Sequence, residues 1–134
     1  MPADGLITLP SNHGPSETMS RLETAVKAKG MSVFARIDHA AAAANIGMLL
    51  RPTEVLIFGN PKGGTPLMQS TQTIAIDLPL RSLVWQDASG KTWLSYNDPA
   101  WLAKRHALDP HLAASVDALS AALGAVAKTA TAGP

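Results

Sequence analysis

The segment Gly59-Asn60-Pro61-Lys62-Gly63-Gly64-Thr65 follows a continuous apolar run, Val55 to Phe58, and leads into Thr65-Pro66. A glycine-rich turn between a buried strand and a helix is a layout that offers backbone N–H groups to a phosphate. The nucleotide-hydrolysing version places a lysine directly before the hydroxyl residue, and Gly64 stands there instead. Without that charge a nucleotide phosphate lacks its main counter-ion, so nucleotide hydrolysis is not expected. Two readings remain open: a looser anion site on free N–H groups, or glycines that let the chain turn tightly.

Asp38 beside His39 invites an acid/base reading, because a carboxylate can orient an imidazole. Neighbouring residues do not face each other on regular structure, however, and Asp38 is better used as the cap of an alanine-rich helix that begins at His39. His39 would then sit at a pocket mouth. Asp77, ahead of Leu78-Pro79, lies where helix passes to strand and could converge with Asp38. Paired carboxylates do acid/base work or hold a hard cation; otherwise each satisfies loop N–H groups. The candidate ligand-binding set is therefore Asp38, His39, Gly59, Asn60, Gly63, Gly64, Thr65 and Asp77, with no residue assigned as catalytic.

Other chemistries find little support. His13, His39, His106 and His111 are scattered, and the chain has no cysteine, which removes disulfides and thiolate sites; neither a metal nor a cofactor is expected. Ser70, Ser82 and Ser95 stand outside any nucleophile-elbow context. Lys and Arg total 11 against 10 for Asp and Glu, with no basic run, so nucleic acid is not an expected partner. Met1-Pro2-Ala3-Asp4-Gly5 lacks the basic start and apolar run of a secretory signal, and no stretch reaches the roughly 20 apolar residues of a membrane span. The expectation is a cytoplasmic protein without a membrane partner.

The elements that must position these residues follow from spacing. With 134 residues, 46% of them apolar and 16% charged, the chain suits one domain with one core. Leu6, Ile7 and Leu9 predict a strand, and Pro15 opens a helix whose Met19, Leu22, Ala25 and Val26 share a face up to Gly30. Met31 to Ile37 alternates, with Met31, Val33, Ala35 and Ile37 on one side and Ser32, Phe34 and Arg36 on the other. Val55 to Phe58 reads as a central strand. Thr65-Pro66 predicts the start of a helix ending before Pro79, and Leu80–Gln86 and Lys91–Tyr96 predict a hairpin. Trp85, Trp93, Tyr96 and Trp101 cluster around that hairpin and the helix after it, suited to core packing, a pocket or a subunit contact. Asp98-Pro99 and Asp109-Pro110 open two further helices. The last, about 110–128, carries a narrow stripe of Leu112, Val116, Leu119, Leu123 and Val126 for another helix of this domain or of a second subunit, and residues 129–134 are expected to fray. The order of elements predicts an α+β two-layer sandwich, an antiparallel or mixed sheet with helices packed on one face.

Several segments resemble the domain of unknown function 302 family, a bacterial and archaeal group. They are Ile37-Asp38-His39 with its alanines, Leu50-Arg51-Pro52-Thr53, Phe58-Gly59-Asn60-Pro61, Gly64-Thr65-Pro66-Leu67-Met68, Ile76-Asp77-Leu78-Pro79-Leu80-Arg81, and Trp93 through Asp98-Pro99. The similarity covers roughly residues 5–108 and leaves the last helix largely outside. It implies an α+β fold and a homodimer, and it brings no established activity, substrate or cofactor. The expected function is a non-catalytic homodimeric module that binds a small or anionic ligand, or a protein partner, at the Gly59–Thr65 turn. The alternative is an enzyme in which His39 with Asp38 or Asp77 transfers protons.

Overall fold

Most helix starts in this chain carry a short polar capping side chain, a first-turn proline, or both. The side chains of Asp38, Asn60, Asp98 and Asp109 each accept a hydrogen bond from an N–H two or three residues ahead, and Pro15, Pro61, Pro99 and Pro110 occupy first-turn positions where a missing N–H costs nothing. The computed structural model describes residues 3–133. Its elements are β1 (Leu6–Pro10), α1 (Pro15–Ala28), β2 (Ser32–Asp38), α2 (His39–Asn45), β3 (Thr53–Gly59), α3 (Pro61–Ser70), a 3-10 turn (Gln72–Asp77), β4 (Leu80–Gln86), β5 (Thr92–Asn97), α4 (Pro99–Arg105), a second 3-10 turn (Pro110–Leu112) and α5 (Ala113–Thr131).

The five strands form one sheet in the order β1-β5-β4-β3-β2, and every pairing is antiparallel. The fold is thus the expected α+β sandwich, with the antiparallel form of the sheet. Met19, Leu22 and Val26 of α1 and Leu123, Val126 and Ala130 of α5 meet Leu56, Phe58, Leu80, Val84 and Leu94 on one sheet face. A smaller cluster of Leu67, Ile74, Leu112 and Val116 joins α3, the first 3-10 turn and α5 at one end of the sheet. The stripe on the last helix is therefore spent inside the domain.

The structure corrects three expectations. A bulge between Val33 and Ala35 interrupts the alternation of β2, so Val33 and Arg36 turn toward the helices while Ala35 and Ile37 turn outward. Phe34, the extra residue, is 54% exposed. Arg36 is thereby delivered to Glu54, with Nε to Oε2 at 2.6 Å, and to Glu23 on α1 at 3.5 Å. Hydrogen bonding to Glu54 raises the pKa of Arg36, and hydrogen bonding from Lys27, with the charge of Arg36 added, holds the Glu23 carboxyl below its ordinary value.

The second correction concerns α3, which starts at Pro61 rather than at Thr65-Pro66, because Asn60 caps it and Gly63 and Gly64 fall inside its first turns. Pro66 then lies within the helix, which ends at Ser70 before the 3-10 turn takes over. The third is the tail. Helix α5 runs on to Thr131, with Ala130 and Thr131 buried, and it is tied down by Asn12 N–H donating to Thr131 O and by Arg21 Nη2 donating to the carbonyls of Thr129 and Ala132.

Most outward-facing side chains on the central strands are also apolar: Val55 of β3 pairs with Leu83 of β4, Ile57 lies opposite the charged Arg81, and Trp85 of β4 faces Trp93 of β5. An antiparallel sheet with one solvated face ordinarily alternates apolar with polar. This one does not.

Two substitutions check the assignment of the inner face by urea denaturation. Phe58 is fully buried, so Phe58→Ala is expected to cost about 3–5 kcal/mol. Ser82, fully buried on the same face with a hydroxyl that has no hydrogen-bond partner, should be improved by Ser82→Ala, by about 1 kcal/mol.

Candidate functional site

The turn from β3 into α3 opens onto a cavity of about 380 Å³. Gly59, Asn60, Gly63, Gly64 and Thr65 line one side, and Met31, Phe34, Met68, Leu78, Pro79 and Leu119 make most of the remainder. The walls are largely thioether, aromatic and aliphatic carbon. At Gly63 an added Cβ would lie 3.3 Å from Leu119 Cδ2, tighter than ordinary contact, so the glycine lets α3 settle against α5 without displacing that side chain. At Gly64 an added Cβ would meet Leu78 Cδ1 at 3.5 Å and Met68 Cε at 3.7 Å, which is ordinary contact.

The N–H groups of this turn already have acceptors. Lys62 N–H donates to Asn60 Oδ1 at 3.0 Å, Gly63 and Gly64 N–H donate to Asn60 O at 2.9 and 3.3 Å, and Pro61 has none to give. An anion at this helix start would have to break those bonds, so the geometry favours an apolar occupant over a phosphate.

Five of the eight sequence-predicted residues thus share one wall, and three lie elsewhere. The antiparallel pairing sets Ser32 opposite Gly59 and Asp38 opposite Glu54. Asp38 is therefore six residues along β2 from the cavity end, about 20 Å at 3.4 Å per residue. There its Oδ1 accepts from Ala41 N–H at 2.9 Å, as a cap, and it borders a separate hollow with Pro15, Ser16, Arg36 and Glu54. His39 is exposed.

Asp77 does not converge with Asp38. Its carboxylate takes Arg105 Nη1 at 2.9 and 2.8 Å and His106 Nε2 at 2.6 Å, and the other ring nitrogen of His106 lies 3.2 Å from Thr73 Oγ1. The acid/base pair within reach is thus Asp77 with His106, not with His39. Sequence reasoning weighed His106 only among scattered histidines and passed over Thr73 and Arg105; the one signal at that place was two basic residues at the end of a predicted helix. Nothing in the spacing ties that end to Asp77, 29 residues back.

The tryptophans of the hairpin lie on the outer sheet face. Trp85 and Trp93 stack with ring centroids 6.1 Å apart, Lys91 Nζ sits 4.6 Å over the Trp93 ring, and Trp85 Nε1 donates to Ser95 Oγ at 2.9 Å. Trp93 Nε1 donates to Asp87 Oδ2, and that bond is the main reason the Asp87 carboxyl is held below its usual value.

Fold and site together define a small α+β sandwich with a bare antiparallel sheet face and an apolar cavity at one sheet end. The chain belongs to the family described as Domain of unknown function DUF302, whose model matches residues 7–126; the match takes in most of α5, beyond the stretch on which the resemblance rested. The crystal structure of an uncharacterized conserved DUF302 protein from Bacillus stearothermophilus superposes with a TM-score of 0.84 over 96% of this chain and 99% of that one, at 22% identity. Curated relatives include the Fluoride-specific ion channel FluC 1 of Brucella suis, 49% identical over 124 residues, which are 92% of this chain and 49% of the relative. The Fluoride-specific ion channel FluC 2 of Brucella melitensis is likewise 49% identical over 124 residues, 46% of its length. The chain spans about half the length of the curated relatives it matches.

Separating cap from catalyst at Asp38 takes two variants. Asp38→Ala is expected to lower stability by about 1 kcal/mol and Asp38→Asn, which keeps the accepting oxygen, by only a few tenths, as read by urea denaturation. Equal losses would contradict the cap.

Proposed function

We propose that the domain is a homodimeric module that binds a small apolar molecule in the cavity at the β3–α3 turn. The observation that carries this reading is the chemistry of the wall: Met31, Phe34, Met68, Leu78, Pro79 and Leu119 surround the space, and the neighbouring N–H groups are engaged by Asn60. A preformed, mostly apolar pocket with a few polar groups at its rim is the ordinary form of a small-molecule site. Asn60 Nδ2 and Thr65 Oγ1 are the polar groups on hand to orient an occupant, and among the described residues no carboxylate or imidazole lines the cavity. The domain therefore holds its ligand and does no chemistry on it there.

Dimerisation is supported by the sheet. Val55, Ile57, Leu83, Trp85 and Trp93 face outward without a helix over them, and Ile46, Met48, Leu49 and Leu50 in the connection from α2 to β3 are 73%, 61%, 102% and 49% exposed. A second copy offers the same apolar surface in return, as a two-fold interface requires.

The fluoride-channel relatives favour a second reading, in which the module works attached to a membrane channel. Against the expectation that no stretch reaches the length of a span, helix residues Pro110–Thr131 form the one described segment long and apolar enough to cross a membrane, and they lay Leu123, Val126, Ala127 and Ala130 into the core. In this reading the relatives' other half conducts, and the half matched here is an accessory that senses a ligand.

Calorimetric titration with a series of n-alkanols tests the cavity. Saturable binding is expected, tightening roughly fourfold per added methylene from about 0.8 kcal/mol of burial each. Gly64→Leu, which projects into the space, should weaken binding at least tenfold while leaving the melting temperature within a few degrees. Absence of saturable binding, or binding unaffected by Gly64→Leu, would overturn the reading, as would a melting shift with sodium fluoride that sodium chloride does not give.

A further inference from the structure

The first 3-10 turn has three rows of side chains, because residues three apart eclipse one another. Ala75 and Leu78 face the cavity, Ile74 enters the smaller core cluster, and Thr73 with Ile76 faces outward. The outward row meets the end of α4. There Thr73 Oγ1, His106 and Asp77 form a chain: hydroxyl to Nδ1 at 3.2 Å, Nε2 to carboxylate at 2.6 Å.

We propose that Thr73 is a nucleophilic hydroxyl that accepts an acyl group from an activated ester or thioester. The carboxylate of Asp77 can only accept, so Nε2 of His106 carries a proton, and it is the neutral form of the ring that presents a lone pair at Nδ1 to the Thr73 hydroxyl. A hydroxyl within reach of an imidazole, itself oriented by a third group, is the arrangement that activates an alcohol nucleophile. The imidazole is set firmly: its side chain is 8% exposed and that of Asp77 14%, and Arg105 Nη1 grips both oxygens of Asp77 at 2.9 and 2.8 Å. A tie holding the turn to α4 would be complete with Asp77, Arg105 and His106; the free side of the ring is turned to an exposed hydroxyl instead. Ile76, 71% exposed and eclipsing Thr73, gives an acyl chain an apolar surface to lie on.

In the reaction Thr73 Oγ1 attacks the acyl carbonyl carbon, forming a C–O bond, and its proton moves to His106 Nδ1. The tetrahedral adduct then expels the alcohol or thiol, whose bond to the acyl carbon breaks and which takes the proton back from His106. The acyl group stays on Thr73 as an ester, so the event is a stoichiometric modification, independent of what the cavity binds.

The test uses the full chain with p-nitrophenyl acetate and p-nitrophenyl butyrate, reading p-nitrophenolate release, intact mass and the modified peptide. One equivalent of p-nitrophenolate and a single acyl group on Thr73 are expected, faster with butyrate. Thr73→Val, a near-isosteric change at an exposed position, should abolish the adduct, and His106→Gln should slow its formation about a hundredfold or more, with the melting temperature of each variant recorded alongside. Acylation confined to lysine amines or the N-terminus, or an adduct that survives Thr73→Val, would overturn the proposal.

Discussion

The pairing of β3 with β4 places Phe58 opposite Leu80 on one side of the sheet and Val55 opposite Leu83 on the other, so the central strands are largely apolar on both faces while the chain supplies helices for one. Everything else in the molecule follows from how that imbalance is handled. Helices α1 and α5 pack side by side over the inner face, bringing Met19, Leu22, Val26, Leu123 and Val126 onto Leu56, Phe58, Val84 and Leu94. The antiparallel order then throws the β3–α3 turn to one end of the sheet and the β2–α2 junction to the other. The cavity lies at the first end, where Gly63 allows α3 to approach Leu119 of α5.

This arrangement explains which parts of the fold could be read from residue order. Capping residues followed by proline, the 3.6-residue spacing of α1 and the apolar run Val55 to Phe58 are local signals, and the elements they mark are present. A bulge is not local: the extra residue at Phe34 is defined by what β3 places opposite it, and alternation alone carried Arg36 to the wrong face. The start of α3 was obscured by two competing signals, Asn60-Pro61 and Thr65-Pro66, of which the first won because its cap closes on Lys62.

The site divides in the same way. Gly59, Asn60, Gly63, Gly64 and Thr65 come together because they are contiguous in sequence. Whether Asp38 would join them depended on strand direction: parallel strands would have brought strand-to-helix junctions to one sheet end, and antiparallel pairing instead sends Asp38 to the far end, where it caps α2. Asp77 does reach the cavity's end of the sheet, directly before the lining residues Leu78 and Pro79, but its side chain turns to Arg105 and His106. Contacts of this long-range kind leave no trace in spacing.

The relatives place the same domain in longer proteins named as fluoride channels, and the fold is shared with a protein from Bacillus stearothermophilus at 22% identity. What the two chains keep in common at that identity is the architecture, and the proposal made for this chain is that a second copy covers its outer sheet face. Sedimentation equilibrium at low micromolar concentration tests that most directly. The account predicts a species of twice the 14.0 kDa chain mass that Leu83→Lys, on the outer face, returns to one chain mass. A single-chain mass up to about a hundred micromolar, or a dimer indifferent to Leu83→Lys, would contradict it.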